Sequence, residues 1–276
     1  MLGSPAVVHA AHGDARLRLD RLTAVADSLY ASGQPDSAAA VGRRAVEAAR
    51  QSGDRAAQIA AYASLGVYLR SGGHTAGALR SYEQGLNLAT GAQLADSATA
   101  ENVATLYVNL ATLYLDEGQH GQALTYARKV AGMDDRLKSE AFRRQLYPVV
   151  ASIFLLNHLD TEAEVYLRRS LELARRDGAT DEELMTLCYY LPLLQRQGRT
   201  AELRRVEARA AALARRTTAF MPLVNYYQTA ASVALAEKDY RRAARHIDAM
   251  LRLDGIEAIN PATGKAVPMF GSDYVL

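Results

Sequence analysis

Few side chains in this 276-residue chain stand at spacings that chemistry requires. His9 and His12 have the separation from which two imidazoles could share a metal, but no further ligands accompany them. His74, His120 and His158 fall near inter-helix turns and read as surface positions of a repeat, not as a cluster. Asp134-Asp135 and Glu182-Glu183 pair carboxylates as general acid-base work would, yet they stand near helix starts, where acidic groups favour the helix dipole. Cys188 is the only cysteine, which excludes an intrachain disulfide and a thiolate metal cluster. The glycines fall at turns and packing positions and form no phosphate loop. No catalytic, cofactor or metal site is predicted, and a non-enzymatic function follows.

What the chain does carry is a beat. A helix-turn-helix signature closes its second turn at Ala38, Ala78, Ala123, Ala163, Leu203 and Ala243, in steps of 40, 45, 40, 40 and 40 residues. Within repeat two, Tyr62, Leu65, Gly66 and Leu69 share a helical face, followed by Gly73, Ala78, Tyr82 and Leu86. Repeat three gives Tyr107, Leu110, Ala111, Tyr114, Gly118, Ala123 and Val130. Spacings of three and four predict amphipathic helices, and small residues such as Gly66 and Ala78 allow close helix approach. A fixed period in this range predicts stacked helix pairs, each burying its apolar face on its neighbours. Glycines in Gln51-Ser52-Gly53-Asp54 and Arg176-Asp177-Gly178 are placed to close second helices. The longer step puts an extended junction around Gly91 to Ala100.

Composition narrows the function classes. Apolar residues make up 49% of the chain, but no run approaches the ~18 needed for a membrane span. Net charge is +2 with both signs interspersed, which argues against direct nucleic-acid binding. The single cysteine fits either cytosol or periplasm, and Met1 to Ala11 lacks the charged start of a signal peptide.

The repeat pattern resembles the tetratricopeptide repeat over roughly residues 19 to 254, best in repeats two and three. Repeats four and five depart from it at His158, in place of the turn glycine, and at Leu203, in place of the packed alanine. The period exceeds the usual ~34 residues, and this longer form is similar to repeats in bacterial sensor and regulator proteins. The resemblance implies an all-α right-handed α-solenoid superhelix of about six repeats. Residues 1–16 are expected to be a flexible N-terminus, 17–254 the repeat domain, and 255–276 an irregular tail or a truncated next repeat. It further implies a protein- or peptide-binding scaffold without cofactor, the sensor or interaction region of a larger signalling or transcription-regulatory protein, with a periplasmic setting favoured over a cytoplasmic one. The alternatives are a free-standing adaptor for complex assembly and a cytoplasmic peptide-responsive regulator.

In such arrays the first helix of each repeat lines the binding groove. Carried onto this chain, the groove positions include Asp27, Tyr30, Ala63, Arg70, Thr105, Asn109, Thr112, Gln145, Ser152, Tyr189, Gln195, Asn225, Gln228 and Ser232, a neutral hydrogen-bonding set. Asn109 falls at a clamp-like position, but Gln145 and Val149 stand where cations would complete a carboxylate clamp. Pro148 and Pro192 fall inside groove helices, each freeing a carbonyl or bending the axis. Tyr62, Tyr82, Tyr107, Tyr114 and Tyr227 read as core, and of Tyr189-Tyr190 the first is the groove anchor. Arg196, Arg199, Arg204, Arg205, Arg209, Arg215 and Arg216 read as a solvated face.

Overall fold

The computed structural model describes residues 5–89, 96–253, 258–259 and 266–267, with side chains from residue 13 to 253 outside the gap. Among the described residues the chain forms twelve α-helices in six consecutive pairs. They are α1 (Pro5–Ala31) with α2 (Pro35–Ser52), α3 (Arg55–Ser71) with α4 (Thr75–Leu88), and α5 (Ser97–Asp116) with α6 (His120–Ala131). After a 3-10 turn at Asp134–Arg136 come α7 (Glu140–Leu156) with α8 (Asp160–Arg176), α9 (Thr180–Arg196) with α10 (Thr200–Ala214), and α11 (Phe220–Ala236) with α12 (Tyr240–Leu253). Two short strands, β1 (Ala258–Ile259) and β2 (Ala266–Val267), pair antiparallel with Ala258 opposite Val267. The chain divides into two compact units, Met1–Phe142 and Arg143–Leu276, so three helix pairs fall in each.

One device ends every first helix. Gly33, Gly73, Gly118, His158, Gly198 and Lys238 adopt left-handed φ values between 59° and 76°. At Gly33 the N–H donates to the Tyr30 carbonyl at 3.0 Å and the next N–H, of Gln34, to the Leu29 carbonyl at 2.9 Å. The same two bonds recur at all six turns, down to Lys238 with Leu235 and Asp239 with Ala234, both at 2.9 Å. They satisfy carbonyls that a helix end otherwise leaves bare. Five residues after each turn comes the packed residue of the sequence pattern: Ala38, Ala78, Ala123, Ala163 and Ala243 are at most 1% exposed and Leu203 is 3% exposed. The expected beat is therefore the spacing of these turns. Asp54 and Asp96 cap α3 and α5, accepting from the N–H groups of Ala57 (3.0 Å) and Thr99 (2.9 Å).

Two expectations change. Helix α1 runs from Pro5, ahead of the expected start after residue 16, with the proline in its first turn, where a missing N–H costs no bond. Of the five tyrosines read as core, Tyr62 and Tyr82 are buried, but Tyr107, Tyr114 and Tyr227 are half-buried. A phenol keeps its hydroxyl wet by riding the edge of a helix pair; Tyr114 stacks on Tyr126 at 5.6 Å between ring centres, with the Lys129 ammonium 4.7 Å above Tyr126. The side chains of His9 and His12, the centre of the Gly91–Ala100 junction and most of the tail from residue 255 lie outside the described residues.

The two units pack differently. In the first, Gly66 lies under Tyr82, where an added Cβ would meet the ring at 2.1 Å, and Gly85 lies under Leu106, where it would meet a methyl at 2.8 Å. In the second, bulky Leu167, Leu184, Leu187, Leu191, Leu193 and Leu194 fill the core. Pro148 stands inside α7 and has no N–H for the Arg144 carbonyl. The buried Ser170 hydroxyl donates to that carbonyl at 3.1 Å, so the carbonyl freed by the proline is satisfied within the repeat.

Candidate binding face

Side chains of the first helices form one face in the second unit. Counting back from each left-handed turn residue, equivalent positions bring Gln145, Val149, Ser152 and Leu155 of α7 together with Met185, Tyr189, Pro192 and Gln195 of α9. On α11 they bring Asn225, Thr229, Ser232 and Leu235. Two adjoining pockets of about 220 Å³ each open here. One is lined by Gln145, Pro148, Val149, Met185 and Tyr189, with Arg144, Asp181 and Glu182 at its edge. The other is lined by Leu155, Met185, Cys188, Tyr189, Pro192, Asn225 and Thr229. Met185 and Tyr189 are common to both. Tyr189 is half-buried, while its neighbour Tyr190 is buried and turned to the other side of α9. Burial raises the Tyr189 phenol above its ordinary pKa and pushes the Cys188 thiol up to about 12, so both are neutral at physiological pH.

Polar groups at this face are partly spent. Asn225 donates to the Met221 carbonyl at 3.0 Å and lies 3.3 Å from the Met185 sulfur. Gln195 donates across to the Val233 carbonyl at 3.0 Å, and Ser152 to Val149 of its own helix at 2.8 Å. Gln145 and Gln228 are exposed. Arg144 sits between Asp177 at 2.5 Å and Glu182 at 3.5 Å.

Equivalent positions in the first unit are smaller and tied to one another. Tyr30 packs on Tyr68 at 5.5 Å and accepts from Ser71 at 3.2 Å; Tyr68 donates to Asp27 at 2.5 Å. Arg70 reaches Asp116 at 2.7 Å. Thr105 and Thr112 turn their hydroxyls back to the Glu101 and Val108 carbonyls, and Asn109 is half-buried between them on α5. Thus Gln145 with Tyr189, and Tyr189 with Asn225, share pockets, whereas Tyr30, Arg70 and Gln195 link neighbouring helix pairs. Met185, Leu155 and Thr229 were missed as lining residues. Their signal was register, since they occupy on their helices the places that Gln145, Gln195 and Tyr189 occupy on theirs.

The arginine-rich segment is a solvated face only in part: Arg205, Arg215 and Arg216 are exposed, whereas the other four are paired. Arg196 pairs with Asp160, Arg199 bridges Glu164 at 2.7 Å and Glu202 at 3.1 Å, and Arg204 holds Glu207 at 2.6 Å and Glu237 at 2.8 Å. Glu183 lies in the first turn of α9 as expected, and is also a buried carboxylate held by Arg175 at 2.8 Å and Arg209 at 2.6 Å. Burial alone would raise its pKa, but the hydrogen bonds from Arg209 and Arg175 more than offset this and hold it below the ordinary glutamate value. Three of these pairs, Arg209–Glu183, Arg199–Glu164 and Arg196–Asp160, join residues 26, 35 and 36 apart in sequence, which is why local patterning hid them.

Helix pairs closed by left-handed turns and stacked on a packed alanine define a tetratricopeptide-like repeat fold, the fold of protein-interaction scaffolds. A tetratricopeptide-repeat family model matches residues 104–136. Among solved structures, BtubC (BKLC) from P. vanneervenii is similar at 17% identity and TM-score 0.65, over 88% of this chain and 98% of that one. Aspartyl phosphate phosphatase F from Bacillus subtilis is similar at 10% identity and TM-score 0.62, over 93% and 74%. PilF of Pseudomonas aeruginosa follows at 14% identity and TM-score 0.57, over 90% and 96%. These likenesses concern the fold. No curated protein matches in sequence. No described helix is long and apolar enough to cross a membrane.

Proposed function

We propose that the chain is a non-enzymatic protein- or peptide-binding scaffold, the sensor or interaction region of a larger bacterial signalling or transcription-regulatory protein, and that it engages an extended segment on the first-helix face of its second unit. The observation that carries this reading is the pair of adjoining pockets divided by Met185 and Tyr189. Two apolar side chains of one extended strand could seat on either side of the tyrosine ring. The amides of Gln145, Asn225 and Gln228 stand near enough in register to meet its backbone, since an amide both donates and accepts. Aromatic anchors in such pockets carry most of the binding energy at interfaces. Within the second unit, Ser152 and Gln195 flank these pockets on the same helices.

The test uses short glycine-serine peptides bearing one or two leucine or phenylalanine side chains, followed by thermal shift and fluorescence anisotropy. Two-anchor peptides should stabilise the protein, and Tyr189→Ser should weaken their binding about tenfold or more, as loss of a buried aromatic anchor does. A flat response across the set, or binding that survives Tyr189→Ser, overturns the assignment.

A further inference from the structure

The second helices of the two units differ at one cleft, and the difference points to a second binding site. Between α8 and α10 the cleft is closed by the chain's own charges. Glu164 and Glu202 surround Arg168 and Arg199, and the Tyr190 hydroxyl, with one proton to donate, stands within hydrogen-bond distance of both carboxylates at 2.9 and 3.0 Å. A constant offset of 125 residues maps each of these onto the cleft between α2 and α4. Arg168 becomes Arg43, while the two carboxylate positions become Ala39 and Gly77; Tyr190 becomes Leu65, and Arg199 becomes His74. The cation is kept and both anions are gone.

What remains is open space with basic walls. Two adjoining pockets of about 380 and 470 Å³ share Arg43, Leu69, Gly77 and Arg80. Their apolar side is Val46, Leu65, Leu69 and Tyr62, and Arg50 stands at one end against Glu47 at 3.9 Å. Among the described residues Arg43 and Arg80 have neither an ion-pair nor a hydrogen-bond partner, whereas Arg168 and Arg199 of the second unit are held by carboxylates. His74, which lines the second pocket, lies 2.8 Å from Asp36.

We infer that the cleft between α2 and α4 binds an acidic segment of a partner protein, whose carboxylates take at Arg43 and Arg80 the places that Glu164 and Glu202 fill in the second unit. The molecule thus contains its own example of what such a cleft holds. Charge-assisted bonds from guanidinium to carboxylate supply direction, and the leucine-lined floor accepts an apolar side chain between two acidic ones. Gly77 keeps the entrance open: an added Cβ there meets Leu69 only at ordinary contact distance, 3.5 Å, so a larger residue would project into the pocket without disturbing the helix pair. The arginines of this site lie on second helices, and the site shares no residue with the first-helix face proposed above.

The experiment measures binding of a fluorescent peptide of alternating glutamate and leucine to the full chain, with a lysine-leucine peptide as control. The acidic peptide should bind, should weaken steeply with added salt, and should lose at least tenfold in affinity in Arg43→Glu and in Gly77→Leu. Gly77→Ala, which favours the helix and fills less space, should fold as the wild type does and lose less. Tyr189→Ser should leave this binding unchanged, which separates the site from the first-helix face. Equal binding of the lysine peptide, an unchanged affinity in both Arg43→Glu and Gly77→Leu, or no binding of the acidic peptide overturns the inference.

Discussion

The first unit is built on glycine and the second on charge. In α3 and α4 the helices approach until only hydrogen atoms fit at Gly66 under Tyr82, and the second-helix cleft beside them stays open. From α7 to α10 the spaces are filled by leucine, by the buried Glu183 and by the Glu164–Arg199–Glu202 network. Pockets appear there on the opposite, first-helix face. One repeat plan thus yields two surfaces of different chemistry, because a given register position decides which face is closed.

Substitutions can break that contrast, and the largest effect belongs to Gly66→Ala. Its Cβ would overlap the Tyr82 ring, so urea unfolding should show a loss of about 3 kcal/mol, at the upper end for overpacking; a loss under about 1 would mean the ring moves freely. Next comes Glu183→Ala, which leaves Arg175 and Arg209 without their shared acceptor. Both guanidinium groups are about half exposed and rehydrate, so the expected loss is about 2 kcal/mol, below that for a fully buried pair. A neutral outcome would show that the network is not a structural element of the second unit.

The same network predicts an acid response. For Glu164 and Glu202 burial would raise the pKa, but hydrogen bonds from arginine and Tyr190 prevail and hold both below the ordinary value. A depressed folded pKa contributes stability above the unfolded value and loses it as pH falls through the folded one. Stability should therefore drop below about pH 4.5, and Glu164→Gln with Glu202→Gln should flatten that slope in denaturation measured at successive pH values. The smallest effects concern the turns. Those of the first unit are all glycine, whereas the second places His158 and Lys238 at positive φ. Either residue replaced by glycine should raise stability by about 0.5–1 kcal/mol. Gly33→Ala should lower it by about 1; equal responses at all turns would remove this distinction between the units.

Most of the fold was legible because its cause is local. A left-handed residue followed five positions later by a packed small one leaves a periodic trace, and Leu203 kept the beat although it is not alanine. Helix start was less legible, since Ala6–Ala15 mixes four alanines with the weak helix formers Val7, Val8, His9, His12, Gly13 and Asp14. The candidate face was legible in part: adjacency on a helix set Tyr189 apart from Tyr190, but nothing local tells that Met185 would wall two pockets. The ion pairs of Arg196, Arg199 and Arg209 were missed for the same reason. Asp160 and Arg196 meet because 36 residues is one period less one helical turn, a relation visible only once the period is used as a ruler.

Cys188 gives this architecture a clock. Its thiol is 5% exposed, lines the pocket beside Tyr189 and Thr229, and ionises only near pH 12. A thiol so placed is inert while the helices stay closed, so the rate at which iodoacetamide labels it counts how often α9 parts from its surroundings. Because it is the chain's single cysteine, the intact protein can report its own breathing without any engineered probe.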